Sequence, residues 1–583
     1  MGLGQHGLMW SGYLRSGFRA SLAFVAACAI GGCVTQPSYS RWLTPQMLEE
    51  LQLQQEYSDF LVARYAGLVG DSASAATFYG RAFANTPEDS ELLELAAFAT
   101  MAAGDMAGAI RIARAADATV AVDAPSAQVA LVIDDIARGR AKEAQARLSN
   151  PGVGIYNTDL RGALGAWLAA QTNIEEALAI VEWISPGGGM RGDRDVLRAL
   201  VLMEAKLDAE ALTMFERARG LAVSAPDVVF SLGAQLAASR GEADRARDLL
   251  AGVRGAGASA MLADLAAGKK FDRPELDTKR GAALVIHVVS ANGRTRLHPE
   301  TNLMRQAAAL YLDPDLAPAR LMQGEALEGQ DRADEALAAL QMVKAGSPWR
   351  ADALIQQAEM LGRLDRGAEG IALADEAATS TRRDIKARAA DVYRFNNAFP
   401  QAVVLYDRIV AEDAAAGAAD WRVLFARATA RKAAGDWPGA EADLQAAIAL
   451  EPDQPELLNA LGYNWVDRGE RVEEGMALVQ RAVAARPDLG HIVDSYGWAH
   501  FKLGKYDQAI PYLERAAEIL PNDAEVVDHL GDAYWAAGRQ KEARYSWAAA
   551  LRLKPDARRE ALLKEKLASG PAASASASLA ASP

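Results

Sequence analysis

An all-α solenoid, built from helix pairs that each stack on the next, is the fold this sequence predicts. Three observations predict it. Small and large side chains recur with a 34-residue period through the C-terminal part of the chain. The composition is 51% hydrophobic but only 7% aromatic, with Ala supplying much of the apolar count. Ala is the best helix former and lets helices approach closely. Finally, 583 residues exceed what one compact core usually needs, so the size suits a modular chain.

The first element is an address. Arg15 and Arg19 precede an apolar stretch, Ala20 to Ile30, with no acid before it. The stretch is too short for a membrane-spanning helix of about 20 residues, but fits the apolar region of a secretion signal. It ends in Ile30-Gly31-Gly32-Cys33, which resembles the bacterial lipobox. Small residues before the Cys let the backbone thread a narrow peptidase site, and the thiol carries the lipid. Cys28 and Cys33 are the two cysteines, so nothing beyond residue 33 can form a disulfide or a Cys-based metal site. Residues 1–32 are therefore expected to be a signal peptide and Cys33 the lipidation site. Each buried CH₂ contributes about 0.8 kcal/mol, and several acyl chains together make an effectively permanent anchor. Val34, where an Asp would favour inner-membrane retention in enteric bacteria, points to the outer membrane. Residues 33–55 read as a lipidated tether.

The repeats follow. The unit Ala524–Ala557 has Leu530, Gly531, Tyr534, Gly538, Ala543, Trp547, Ala550 and Pro555 at positions 7, 8, 11, 15, 20, 24, 27 and 32. The unit from Gly490 places Tyr496, Gly497, His500, Gly504, Ala509, Leu513, Ala516 and Pro521 at the same positions. Related units start at Pro455 and Trp421. Small residues at 8, 20 and 27 allow close helix packing, and a large residue at 24 fills the space beside them. Gly near 15 and Pro near 32 end the two helices. This spacing resembles the tetratricopeptide repeat, which implies an all-α superhelix with helix A of each pair lining the concave face. The period weakens upstream but persists. It predicts an irregular array over 56–252, a joint at 253–282 where Gly and Pro break the register, and a regular array over 283–557. Residues 149–160 and 184–195 read as loops, 558–569 as a capping helix, and 570–583 as a disordered Ala/Ser tail.

Several function classes are disfavoured. The formal charge is -14, with a pI near 5.2, the wrong sign for a phosphate-tracking nucleic-acid binder. Gly2-x-Gly4-x-x-Gly7 matches a dinucleotide fingerprint by letters, but follows no strand. Arg191-Gly192-Asp193 is a three-residue match of no weight. His500 falls at position 11 of its repeat and reads as core. His491 and His529 lack metal-ligand spacing. The repeats consume nearly the whole chain, so no segment remains for a catalytic domain, and neither enzyme nor cofactor is expected.

A binding site is expected instead on the concave face of the C-terminal repeats. Positions 2, 5, 9, 12 and 13 of helix A point inward. They carry Tyr463 (with Asn459 and Asp467) in one unit. The next unit carries His491, Asp494, Trp498, Phe501 and Lys502, and the last carries Asp528, Asp532 and Trp535 (with Glu525). Aromatics flanked by acids suit an amphipathic or basic segment of a partner. The same acids would repel a C-terminal carboxylate. The alternative for Trp498 and Trp535 is packing between neighbouring repeats.

The stretch Leu458-Asn-Ala-Leu-Gly-Tyr-Asn-Trp-Val-Asp-Arg-Gly469, followed by Ile492-Val-Asp-Ser-Tyr-Gly-Trp498, resembles the outer-membrane tetratricopeptide lipoproteins of Gram-negative bacteria. Among them it is similar to the lipoprotein partners of the carboxyl-terminal processing protease. The clear likeness covers about residues 420–557. It implies an anchored adaptor that holds a periplasmic serine protease and brings it substrates, peptidoglycan hydrolases among them. The alternative is an assembly or piloting lipoprotein of a secretion or polysaccharide-export machine.

Overall fold

The computed structural model describes residues 45–149, 158–184, 191–293 and 299–570. Cys33, the segment before residue 45 and the Ala/Ser tail from 571 lie outside the described residues, as do most of the loop 149–160 and part of the loop 184–195. Within the described residues there are thirty-one helices and no strand, so the fold is the all-α repeat solenoid that the period predicts. The described residues divide into two compact units, one up to Leu131 and one from Val132 onward.

In the first unit, helices Pro45–Leu68, Ser72–Asn85, Ser90–Ala102 and Met106–Ala115 pack in sequence. Asp71, Asp89 and Asp105 cap three of them, each side chain accepting from a backbone N–H in the first turn. An Asp cap satisfies a donor that the helix cannot pair internally. The first helix begins at Pro45, inside the stretch read as tether.

In the second unit the repeat code is visible atom by atom. Gly531, at position 8, faces Trp547 at position 24, and a Cβ there would lie 2.5 Å from the indole. Gly497 faces Leu513 at 2.7 Å and Gly324 faces Leu340 at 2.8 Å in the same way. Gly435, Gly469, Gly504 and Gly538 end helix A with φ between 70° and 88°, the left-handed region in which Gly carries no Cβ penalty. In the less regular repeats Asp331, Asp365 and Asn397 take this conformation, as short polar side chains can.

Two features depart from the linear reading. The segment 253–282 contains a helix, Ala256–Ala266, and residues 267–277 then lead the chain back along the earlier array. Arg273 pairs with Asp208 (2.8 Å) and donates to the Met203 carbonyl at 2.5 Å. The next helix, Thr278–Gly293, lies on Thr158–Ala169: Trp167 Nε1 donates to the Thr278 carbonyl at 3.0 Å, and Gly281 sits against the indole face. Further on, Trp349 Nε1 donates to Asp227 at 3.1 Å, a carboxylate that also caps the N-terminus of Ala256–Ala266 through Gly257 and Ala258. The middle of this unit thus adds contacts more than 100 residues apart to nearest-neighbour stacking. The second departure is Arg191–Glu204, which is helical from its first residue where a loop was expected. Asp193 is fully buried and accepts from Ser224 N and Oγ, so the Arg-Gly-Asp letters belong to a contact between this helix and the loop ahead of Pro226–Ser239.

Candidate protein-binding groove

Five helices carry the candidate face: Trp421–Ala433, Pro455–Arg468, Gly490–Lys502, Ala524–Ala536 and Ala557–Ser569. The first four are helix A of successive repeats. The fifth continues the 34-residue register without a helix B. Its Leu563 is buried in the same core as Trp547.

The inward side chains are joined to one another across repeats. Trp498 is the centre of the largest group. Its indole stacks on Phe501 (centroids 4.5 Å apart) and on His529 of the next repeat (4.0 Å). Its Nε1 donates to Asp467 of the previous repeat at 3.5 Å. Lys502 reaches the same Asp467 at 3.3 Å. Tyr463 is half-buried beneath the Lys432 ammonium, 6.0 Å from the ring centre. Burial pushes its phenol up, and Asp467, Glu525 and Asp494 add to this. His491 is exposed at the mouth of the face.

The acids behave otherwise than a row of free carboxylates. Asp494 is buried and bonded to His529 Nδ1 at 3.0 Å. Burial by itself would pull the imidazole down. The Asp494 hydrogen bond and charge, with Glu525 and Asp528 nearby, outweigh it and hold His529 above its ordinary value. Asp528 is also buried and takes Lys566 Nζ at 2.6 Å and Arg559 at 3.5 Å. Asp532 accepts from Lys566 at 2.7 Å and from Trp547 Nε1 at 3.1 Å. Burial, then the neighbouring Asp528 charge, pushes its carboxyl up. Trp535 packs 5.4 Å from Trp547 and against Gly570, where a Cβ would meet its ring at 2.4 Å.

The candidate residues other than Asp494 therefore fall into two groups. Tyr463, His491, Trp498, Phe501 and Lys502 share one stretch of the face with Asp467. Asp528, Asp532 and Trp535 are held by the terminal helix, which brings Arg559 and Lys566 to the buried carboxylates. Asp494 and Asp528, read from sequence as acids offered to a partner, are spent inside the protein, because a buried carboxylate without a cation is strongly disfavoured. His529, Arg559 and Lys566 went unrecognised in the sequence. The signal was available: carrying the period past residue 557 puts Arg559 at position 2 and Lys566 at position 9. His500 is buried beside Tyr496 and Tyr512, and burial lowers its imidazole. Among the described residues no cluster of His, Cys, Asp and Glu could hold a metal ion, and no helix is long and apolar enough to cross a membrane.

Residues 326–554 match the tetratricopeptide repeat family model. The TPR repeat-containing protein PA4667 of Pseudomonas aeruginosa is 39% identical over 113 residues, which are 19% of this chain and 19% of that protein. Two solved structures resemble the fold. One is a tetratricopeptide repeat protein from Parabacteroides merdae, 15% identical over 43% of this chain and 97% of that one, with a TM-score of 0.37. The other is the APC/C hetero-tetramer Cut9–Hcn1, 15% identical over 89% of this chain and 98% of that one, with a TM-score of 0.35.

Proposed function

We propose that this tetratricopeptide-repeat chain is a lipid-anchored periplasmic scaffold that holds partner proteins on the concave face of its C-terminal repeats, and that it serves as an adaptor in cell-envelope proteolysis. Tandem repeats of this kind bind proteins. The observation that carries the reading here is the clustering of Tyr463, Trp498, Phe501 and Lys502 around Asp467 on consecutive A helices. It provides rigid aromatic surface, with low entropy cost, beside a small number of oriented charges. With Asp494, Asp528 and Asp532 paired internally, recognition rests on the aromatics and on the Lys502–Asp467 pair more than on net negative charge. The anchor rests on Ile30-Gly-Gly-Cys33, and the outer-membrane, periplasmic location on Val34 after the Cys. The adaptor role rests on the likeness of 458–498 to the lipoprotein partners of the processing protease.

A pull-down from solubilised cell envelope, with the mature chain as bait, tests the reading. Co-purification of a carboxyl-terminal processing protease together with peptidoglycan hydrolases is expected. Recovery of secretin or polysaccharide-synthase subunits in their place would move the assignment to a piloting lipoprotein.

A further inference from the structure

The outer helix of the first unit, Pro45–Leu68, has one side with no partner among the described residues. Its inner side buries Ala63 and Ala66, and its Phe60 meets Tyr79 of Ser72–Asn85 edge-on at 6.0 Å. Its outer side carries Tyr57 (72% exposed), Leu61 (57%), Tyr65 (60%) and Leu68 (80%). At 3.6 residues per turn these four fall within an arc of about 80°. Arg64, exposed, lies on the edge of the same arc. The one acid between residues 57 and 69 is Asp59, which is buried. In a chain of formal charge -14, residues 57–69 thus expose an apolar stripe with a single positive charge, while the acids of this helix, Glu49, Glu50 and Glu56, precede it in sequence. Solitary exposed apolar residues need no explanation, but four on one helix face do.

We infer that this stripe rests on a lipid bilayer surface, and the inference depends on the lipid anchor proposed above. Three observations select a bilayer as the occupant. Eleven residues lie between Cys33 and Pro45, a span of at most about 40 Å when extended, so an acylated Cys33 keeps the helix within reach of the membrane. That tether converts a weak contact into an intramolecular one at high effective concentration. The residues suit the headgroup level: Tyr presents an apolar ring with a polar tip, Leu enters the acyl boundary, and the Arg stem lies along the apolar surface with its charge toward the phosphates. Within residues 57–69 the lack of an exposed acid lessens the repulsion that the rest of the surface would meet at an anionic leaflet. The stripe would hold the first unit against the membrane and give the repeats a fixed starting direction.

An introduced cysteine would be the only free thiol of the mature lipidated chain, since no cysteine follows Cys33. Leu61→Cys carries a nitroxide on the stripe. Arg111→Cys carries it at another exposed site of the same unit, 73% exposed in its side chain. Both chains are placed on vesicles of phosphatidylethanolamine and phosphatidylglycerol, and collision rates with oxygen and with a polar nickel chelate are read by electron paramagnetic resonance. The expected result is an oxygen-to-nickel ratio several-fold higher at residue 61 than at residue 111, falling to the same value when vesicles are omitted. Equal ratios in chains that float with the vesicles overturn the inference and leave the anchor intact. Chains that fail to float overturn the anchor, and the inference with it. Spin–spin broadening at residue 61 without vesicles shows a second copy on the stripe and overturns the bilayer as its occupant.

Discussion

Trp498→Ala is the substitution that best separates a ring that binds from a ring that packs. The indole lies between Phe501 and His529, 4.5 and 4.0 Å from their centroids and within 18° of parallel. Each such pair contributes about 0.5–1.5 kcal/mol beyond area burial. Truncating a fully buried Trp costs about 3–5 kcal/mol, and Trp498 is only half-buried, so the total should be about 2–3 kcal/mol. In a solenoid this loss stays at the interface it breaks. Amide exchange followed by mass spectrometry is the assay. Protection in Gly490–Lys502 and Ala524–Ala536 should fall by about 30- to 150-fold, while Trp421–Ala433 stays as protected as before. Unchanged protection at 490–536 would show that the stacked ring adds no packing energy between these repeats.

Four further outcomes are expected. Because Asp494 raises the His529 imidazole above its unfolded value of about 6.5, the pair's stabilisation is complete below about pH 6.5 and is lost as pH rises through the higher folded value. Urea midpoints should fall over that window in the native chain, and the fall should flatten in Asp494→Asn. Lys566→Ala leaves buried Asp528 with Arg559 at 3.5 Å as its remaining cation and should cost about 2–3 kcal/mol in denaturation, part of it recovered by adding Asp528→Asn. Gly531→Ala drives a Cβ to 2.5 Å from the fully buried Trp547 and should lower stability by about 1–3 kcal/mol, read from the thermal midpoint. Mass spectrometry of the mature N-terminus should find acylated Cys33, and an unmodified thiol would remove the anchor.

How much could be read from the letters depended on distance along the chain. The Gly531–Trp547 and Gly497–Leu513 contacts lie 16 residues apart inside one repeat, so a 34-residue period exposes them directly. Asp494–His529 spans neighbouring repeats at 35 residues. It was open to the same reading, but an inward position suggested solvent where the structure has a buried ion pair. The terminal helix was legible as a cap. Its role as a source of Lys566 and Arg559 was not, because composition does not say which face of a charged helix turns inward. The return of 267–277 joins residues 65 and 70 apart, the seating of Thr278 on Trp167 joins residues 111 apart, and no period encodes them. Residues 191–195, the end of the segment 184–195 that its Gly and Pro mark as a loop, are helical, because Gly192 packs closely on Ala222 and Asp193 accepts from Ser224.

The proposed function places partners on the concave face at 455–502. Site-specific photo-crosslinking in intact cells tests it most directly. A photoreactive residue replaces His491 or Lys502 on that face, or Tyr545, 76% exposed on helix Gln540–Arg552, as the comparison site. Discrete protein adducts are expected from positions 491 and 502 and none from 545. Adducts of equal yield at all three positions, or adducts from 545 alone, would contradict it.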